Sequence, residues 1–245
     1  MTDKVEPLGK SRSDLGIRTL SSVAMMSVAI LAIWMGGYAF MALVVAVGIG
    51  VYWEFSKLVF GFAKSVLARV LWLLAGLVYV GLACFTLLLF SAPFFGMTPA
   101  IMLIAGVIGT DVGAYFAGRS IGGPKIAPRI SPSKTWSGLF GGMLGAGLAM
   151  VAIQAALYAA RGGHPGDGDV YLAYGVPRLM LTGLVLAVVA QSGDFFESWM
   201  KRRAGVKDSG RLIPGHGGLF DRTDGLIAAA FAAGVITIFE YVAGS

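Results

Sequence analysis

The sequence predicts an all-α, polytopic membrane protein of about seven transmembrane helices, within a range of six to nine. The composition and the arrangement of the apolar runs predict this class. Hydrophobic residues make up 57% of the 245 residues, only 13% are charged, and the mean hydropathy is +0.79. A soluble domain carries about a quarter charged residues. The hydrophobic residues also form repeated runs of the length that crosses about 30 Å of hydrocarbon, and most charged residues lie between these runs.

The apolar runs place the spans along the chain. They predict helices at residues 20–35, 38–55, 70–90, 100–118, 138–160, 179–199 and 224–242. The first two runs are separated only by Gly36 and Gly37, and the first is short for a full crossing.

Basic residues predict the orientation of these spans. Every lysine and arginine except Arg161 and Arg178 falls in one of four segments that share one side of the membrane. Because positive residues stay on the cytoplasmic side during insertion, we expect a cytoplasmic N-terminus and an external C-terminus. The chain is then one integral membrane domain, residues 1–245. It comprises a cytoplasmic N-terminal segment (1–19), N-terminal spans (20–99) and spans and cytoplasmic loops that carry the chemistry (100–242).

Several classes of function are not favoured. The net charge of +6 is accounted for by membrane topology, so no nucleic-acid partner is expected. The single cysteine, Cys84, allows no disulfide framework. The glycine-rich run at 138–147 lacks the spacing of a dinucleotide fingerprint and fits close helix packing instead. No phosphate-binding loop of the strand–GxxxxGK[ST]–helix type is present.

Acidic residues inside apolar runs are costly and therefore informative. Glu54 and Glu240 lie near span ends, where we expect a plain interfacial role at the lipid headgroups. Asp111 and Asp194 lie deeper in their spans. Asp111 shares a helical face with Tyr115 and Gly118, and Asp194 shares one with Glu197, Ser198 and Lys201. For each Asp, pairing with a basic residue or a neighbouring helix is the structural alternative.

The loop at 200–223 combines basic residues, glycines around His216, and two acids at the start of the last span. Asp221 and Asp224 are three residues apart, so they face the same way at a helix N-terminus, where helix capping explains one of them. Together with Asp194 they suit Mg²⁺, a hard cation that takes carboxylate oxygens, waters and substrate phosphates. The residues therefore predict a metal and polyphosphate site at the cytoplasmic membrane surface.

The same residues resemble a known signature. The pattern SWMKR, four residues, KDSG and RLIPGHGGLFDRTD runs from Ser198 to Asp224 and resembles that of the phosphatidate cytidylyltransferases, also called CDP-diacylglycerol synthases. The runs DVGAY, GR, SPSKTW and QSGD further upstream are similar to that family as well. The resemblance covers roughly residues 100–240. Ser137 stands where the family often has an acid, so no role is carried over to it.

The resemblance implies transfer of the cytidylyl group of CTP to phosphatidate, with Mg²⁺ as cofactor, at a cytoplasmic-facing site in the inner membrane. One or two Mg²⁺ ions are implied, and an additional monovalent cation and a homodimer are compatible with it. The candidate catalytic residues are Lys134, Asp194, Lys207, Asp208, His216, Asp221 and Asp224, with Asp194, Asp221 and Asp224 as metal ligands. The candidate substrate-binding residues are Asp111, Tyr115, Arg119, Ser131, Lys134, Thr135, Ser198, Lys201, Arg202, Arg211, Gly217, Gly218 and Arg222. For His216, contact with a phosphate or leaving group and bracing of the loop both stay open.

Three other functions compete with this one. A CTP-dependent lipid-alcohol kinase would need similar acids and cations, and differs in transferring the γ-phosphate. A CDP-alcohol phosphotransferase expects D-G-x-x-A-R, which fails because the run from Asp224 ends in alanine. An ion-coupled transporter would place Asp111 and Asp194 near mid-bilayer within a repeat, and no repeat is evident.

Overall fold

The computed structural model describes residues 9–160, 162, 175–213, 215 and 217–244, with side chains omitted at 9–15, 17 and 18. Seven helices are present in these residues. They are α1 (Gly9–Met35), α2 (Gly37–Phe62), α3 (Val66–Phe90), α4 (Thr98–Ser120), α5 (Trp136–Ala160), α6 (Val176–Ala204) and α7 (Phe220–Gly244). Each contains one of the seven predicted runs, so the predicted helices and their order are confirmed. Each helix also extends beyond its apolar run.

Local sequence signals set several helix ends. The Ser65 side chain accepts a hydrogen bond from the Ala68 amide 3.2 Å away and caps the start of α3. Pro99 lies in the first turn of α4, where a missing amide proton costs nothing. At the other end of α6, Gly205 has a φ of 70° and the Val206 amide bonds back to the carbonyl of Lys201. This left-handed cap favours glycine and stops the helix before the charged loop.

Helix length and composition confirm a multi-pass membrane protein. Six helices, α2 to α7, are long and apolar enough to cross a membrane. The apolar part of α1, Thr19–Met35, is shorter, in line with the short first run. Exposed leucine, isoleucine, valine and phenylalanine side chains on these helices suit contact with lipid tails rather than water. The cytoplasmic location of the N-terminus stays a prediction.

Glycines bring α4 and α5 into backbone contact. A Cβ added at Gly109 would lie 2.5 Å from the Gly145 carbonyl oxygen, and one at Gly141 would lie 2.6 Å from that of Gly113. These two carbonyl oxygens belong to the backbone, and the nearest atom to a Cβ at Gly141 is the fixed Cβ of Ala117, so no side-chain rotation could make room. The predicted packing role of the glycine-rich run is therefore confirmed.

The 119–137 connection, predicted only as a loop, contains a small antiparallel hairpin. Strand β1 (Lys125–Ala127) pairs irregularly with β2 (Ser131–Thr135), which leads directly into α5. The hairpin follows α4 and places Lys134 beside Asp194 of α6. The other helices pack in neighbouring pairs, α5 with α6, α6 with α7, and α7 with α3.

Candidate active site

Helix ends from across the chain meet at one end of the bundle. The last turns of α4 and α6, the first turns of α5 and α7, the hairpin and the loop between α6 and α7 all contribute. Within this group, Lys134 of β2 forms an ion pair with Asp194 of α6. Their side chains are 24% and 28% exposed, so the pair is reachable from solvent without being fully hydrated. The structural alternative, in which Asp194 pairs with a basic residue, is therefore observed. Its partner Lys134 is itself one of the predicted site residues.

Asp224 of α7 faces the same carboxylate. Its side chain interacts with Asp194, and one of its oxygens accepts a hydrogen bond from the Gly225 amide at 2.8 Å. Gly193 makes this approach possible, because a Cβ there would lie 2.6 Å from the Asp224 carbonyl oxygen. Two acids far apart in sequence are therefore side by side, with Lys134 as a neighbouring cation.

A second charged cluster surrounds Lys201 in the last turn of α6. Its ammonium nitrogen lies 2.6 Å from Glu197 Oε2 and 2.6 Å from Asp221 Oδ1. Glu197 is 1% exposed and its Oε1 has no hydrogen-bond partner among the described residues. Asp221 Oδ2 accepts the Ser209 amide at 2.9 Å and the Gly218 amide at 2.8 Å. Asp221 thus joins Lys201 to the loop, while Asp224 faces Asp194.

A polar pocket of about 350 Å³ opens beside Lys134. It lies between the end of α4, strand β2 and α6. Its lining residues are Asp111, Ala114, Tyr115, Gly118, Arg119, Ser133, Lys134, Thr135, Gly138 and Gln191. The Arg119 guanidinium donates to the Tyr115 hydroxyl at 3.1 Å, which holds this cation at the pocket wall. Five predicted substrate-binding residues are therefore together, namely Asp111, Tyr115, Arg119, Lys134 and Thr135.

Of two predicted hairpin residues, Thr135 lines the pocket and also caps a helix, whereas Ser131 lies away from the pocket. Thr135 is 4% exposed, and its hydroxyl oxygen accepts the Gly138 amide at 3.1 Å, which caps α5. Ser131 begins β2 opposite Ala127 and is absent from the pocket lining, where Ser133 is found.

The remaining candidates lie on or near the loop between α6 and α7, residues 205–219. Lys207, Asp208 and Arg211 are exposed there. Gly217 has a φ of 87°, a left-handed conformation that favours glycine, and Gly218 is buried. His216 lies outside the described residues.

Three further candidates lie on the adjoining helix turns. Arg202 donates a long 3.4 Å hydrogen bond to the Ile130 carbonyl of the hairpin. Ser198 is half-buried, and Arg222 is exposed in the first turn of α7.

An apolar cavity of about 370 Å³ lies on the other side of α6 from the polar pocket. It is formed by α2, α3, α6 and α7, and its polar surface is small. Its lining includes Phe55, Trp72, Tyr79, Ser192, Phe196 and Phe231. The lining also includes Gly193, which precedes Asp194 and lies against the backbone of Asp224, so the cavity approaches the paired acids. α6 therefore separates a polar from an apolar compartment.

Two polar residues in the site had not been predicted. Gln191 is 3% exposed, lines the polar pocket, and its amide nitrogen has no hydrogen-bond partner among the described residues. Glu54 is 0% exposed and accepts the Phe220 amide at 2.8 Å. Its expected interfacial role at the headgroups is therefore wrong. Glu54 faces the interior of the bundle because a loop more than 150 residues later supplies its donors.

In the part of the chain that the structure describes, no group of three or more acidic, histidine or cysteine side chains is arranged to hold a metal. The donor set that the helices bring together is the pair Asp194 and Asp224. Asp221, the third predicted ligand, has its oxygens bonded to Lys201 and loop amides.

Comparison with known proteins gives a consistent result. The sequence profile of the cytidylyltransferase family matches residues 56–239. A phosphatidate cytidylyltransferase of Brucella suis is 37% identical over 260 residues, covering 89% of this chain and 91% of its own. One of Rickettsia typhi is 32% identical over 226 residues, covering 92% of each chain. One of Helicobacter pylori is 35% identical over 145 residues, covering 59% of this chain and 49% of its own. The similarity thus reaches into the N-terminal spans, beyond the 100–240 region of the motifs.

Proposed function

The chain belongs to the cytidylyltransferase family, and we propose that it transfers the cytidylyl group of CTP to phosphatidate, giving CDP-diacylglycerol and pyrophosphate. The observation that carries this proposal is the place of the Asp194–Lys134 pair. It lies where a polar pocket and an apolar cavity approach each other across one helix. A water-soluble nucleotide and a lipid must meet at such a boundary to react.

The polar pocket suits the nucleotide. Lys134 and Arg119 present cations at its wall, and charge-assisted hydrogen bonds to phosphate oxygens are among the stronger ones in proteins. Gln191 and Asp111 add a neutral amide and a carboxylate that can pair with the donors and acceptors of a base or ribose.

The apolar cavity suits the lipid. Its wall is aromatic and aliphatic, and it opens among helices long enough to span a membrane. A glycerolipid entering there would have its phosphate near Asp224 and Lys201, at the polar end of the same helices. The basic residues of the loop, Lys207 and Arg211, are exposed and available to the anionic headgroup.

The reaction we propose is a direct in-line displacement. A phosphate oxygen of phosphatidate attacks the α-phosphorus of CTP, and the bond from that phosphorus to the bridging oxygen of the β-phosphate breaks. Pyrophosphate leaves with the electron pair. A phosphate monoester with a second pKa of about 6 is already largely dianionic at neutral pH, so the attacking oxygen needs no strong general base. The residues therefore act by holding the two anions in line and neutralising their charge.

The carboxylates fit a magnesium ion. Mg²⁺ in nucleotide enzymes is held by one or two carboxylates and completes its shell with waters and substrate phosphates. Asp194 and Asp224 supply such a pair at the edge of the polar pocket, and Asp221 lies one helical turn away on α7. When bound there, the ion would neutralise the triphosphate and the charge that develops on the leaving pyrophosphate.

We also propose that this end of the bundle faces the cytoplasm of an inner membrane. The basic residues of the hairpin and of loop 205–219 are all at this end, which is the side that positive residues favour during insertion. CTP would then reach the polar pocket without crossing the membrane.

Labelled CTP tests the proposed reaction. Purified protein should transfer label from the α-phosphate of CTP into a phosphatidate-derived lipid, dependent on both phosphatidate and Mg²⁺. The γ-phosphate label should leave in pyrophosphate. Transfer of the γ label into a lipid alcohol would instead show a kinase, and ion flux in proteoliposomes without CTP turnover would show a transporter.

A further inference from the structure

Glu54 is a buried carboxylate that the proposed mechanism does not use. It is on α2, two residues before the segment that the family profile matches, and its exposed fraction is 0%. Its Oε2 lies 2.8 Å from the Phe220 amide nitrogen, at the first residue of α7. The same oxygen lies 3.1 Å from the Ser209 hydroxyl. One carboxylate oxygen therefore binds both ends of the loop that carries the charged residues.

The loop backbone is fitted around this carboxylate. A Cβ added at Gly218 would lie 2.6 Å from Glu54 Oε2, and one at Gly210 would lie 2.5 Å from the Glu54 carboxyl carbon. The two glycines allow the loop to approach where any side chain would collide. Glu54 thus occupies the space between the two halves of the loop.

Ser209 connects Glu54 to the charged cluster. Its hydroxyl lies 3.0 Å from Asp221 Oδ2 and 3.1 Å from Glu54 Oε2, and it has one hydrogen to donate. Asp221 in turn bonds Lys201. Displacement of Glu54 would therefore free the part of the loop that contacts Asp221 Oδ2. The contact between Asp221 Oδ1 and Lys201 would remain.

Filling space does not require a carboxylate. Burying one is costly, and Glu54 Oε1 has no hydrogen-bond partner among the described residues. A leucine would fill a similar volume without that cost. A leucine would lack the acceptor oxygen Oε2, which Phe220 and Ser209 contact.

We propose that Glu54 is a positioning residue, which acts through Ser209 and the Phe220 amide to hold loop 205–219 and Asp221 in the geometry that cytidylyl transfer requires. This role rests on the proposed function for its kinetic consequence. A residue of the N-terminal spans would thus support a site that is built mainly from the C-terminal spans.

Kinetics of three variants test the role. Glu54→Leu, which keeps bulk but has no acceptor, should lower kcat about 100-fold while KM for CTP changes by less than about threefold. Glu54→Gln retains an acceptor oxygen and should recover kcat to within about tenfold of the unsubstituted protein. Glu240→Gln is the matched control, because Glu240 is an exposed glutamate on α7. Equal kcat in the Leu and Gln variants would overturn the proposal.

A double-mutant cycle keeps the proposal testable if Glu54→Leu fails to fold. Glu54→Gln and Ser209→Ala both weaken one connection, so their combined loss of kcat should be close to the larger single loss. Losses that multiply would show that the two residues act separately and would contradict the proposal.

Amide hydrogen exchange separates this inference from the proposed reaction, since it needs no turnover. In Glu54→Leu, or in Glu54→Ala if the former does not fold, the Gly218 and Phe220 amides should exchange faster, while amides in the middle of α4 stay unchanged. Unchanged exchange at Gly218 and Phe220 would overturn the positioning role. If the unsubstituted protein transfers no cytidylyl label, the proposed function fails, and the exchange result still decides whether Glu54 holds the loop.

Discussion

Lys201 Nζ lies 2.6 Å from Asp221 Oδ1, and this contact joins the last turn of α6 to the first turn of α7. The two side chains are 16% and 10% exposed. With Glu197 also bonded to Lys201, two carboxylates share one ammonium group. Lys201 is therefore the cation that balances both Glu197 and Asp221 in this cluster.

Loss of this lysine should destabilise the fold. Lys201→Met would leave Glu197 and Asp221 buried without a cation, and breaking a buried pair in this way costs about 3–5 kcal/mol. Denaturant unfolding in detergent micelles measures the change. Lys64→Met, at an exposed lysine in the α2–α3 connection, is the control and should unfold with an unchanged midpoint. The same midpoint for Lys201→Met would contradict the ion-pair account.

Gln191→Met should change stability and substrate binding in opposite directions. The substitution removes a buried amide that has no partner on its nitrogen among the described residues, so unfolding free energy should rise by about 1 kcal/mol. If CTP satisfies that amide, KM for CTP should rise about tenfold. Thermal unfolding and initial rates over a CTP series give both numbers. An unchanged KM would show that Gln191 contacts no part of the nucleotide.

Backbone contact between α4 and α5 should make Gly109 intolerant of a side chain. Gly109→Ala places a Cβ 2.5 Å from the Gly145 carbonyl oxygen and should cost about 1–3 kcal/mol through helix separation. Gly81→Ala on α3 is the matched control, since a Cβ there meets nothing within 4 Å. Thermal melts of the two purified variants should differ clearly. Equal melting temperatures would contradict the close packing.

Removal of either facing carboxylate should abolish turnover. Asp194→Asn and Asp224→Asn keep the size of the side chain and remove its charge, so neither should transfer cytidylyl label at any Mg²⁺ concentration. The measurement is the rate across a Mg²⁺ titration, with Glu240→Gln as the glutamate control and gel filtration to check folding. Near-normal rates at saturating Mg²⁺ would remove that residue from the metal-binding set.

The length of the apolar runs was sufficient to predict the seven helices found in the described residues, because a run of about 20 apolar residues can cross the hydrocarbon as a helix. The cost of Asp194 within a span and the position of Asp224 at a helix start beside a charged loop predicted that the two lie together, and the structure brings their side chains into contact. The pairing of Lys134 with Asp194 was anticipated only as an alternative. Sixty residues separate the two, and the hairpin that brings them together has no strong strand pattern.

The site role of Glu54 could not be predicted from the sequence, for a physical reason, and Gln191 was noted only as the first residue of the QSGD run. An apolar run in a membrane span has no polar face that would indicate which side packs inward. A single Glu near the end of a span is therefore predicted to lie at the lipid headgroups. The partners of Glu54 are 155 and 166 residues away, one on loop 205–219 and one at the first residue of α7. The nearest available signal was the unusual glycine content of loop 205–219, which indicates close backbone approach to some other group.

Transfer of α-phosphate label from CTP to phosphatidate in reconstituted vesicles tests the central claim most directly, with the unsubstituted protein and Asp194→Asn measured side by side. The unsubstituted protein should form one labelled lipid for each pyrophosphate released, and Asp194→Asn should form none while remaining folded and inserted. Equal incorporation by both proteins, or pyrophosphate release without labelled lipid, would contradict the assignment of cytidylyl transfer to this site.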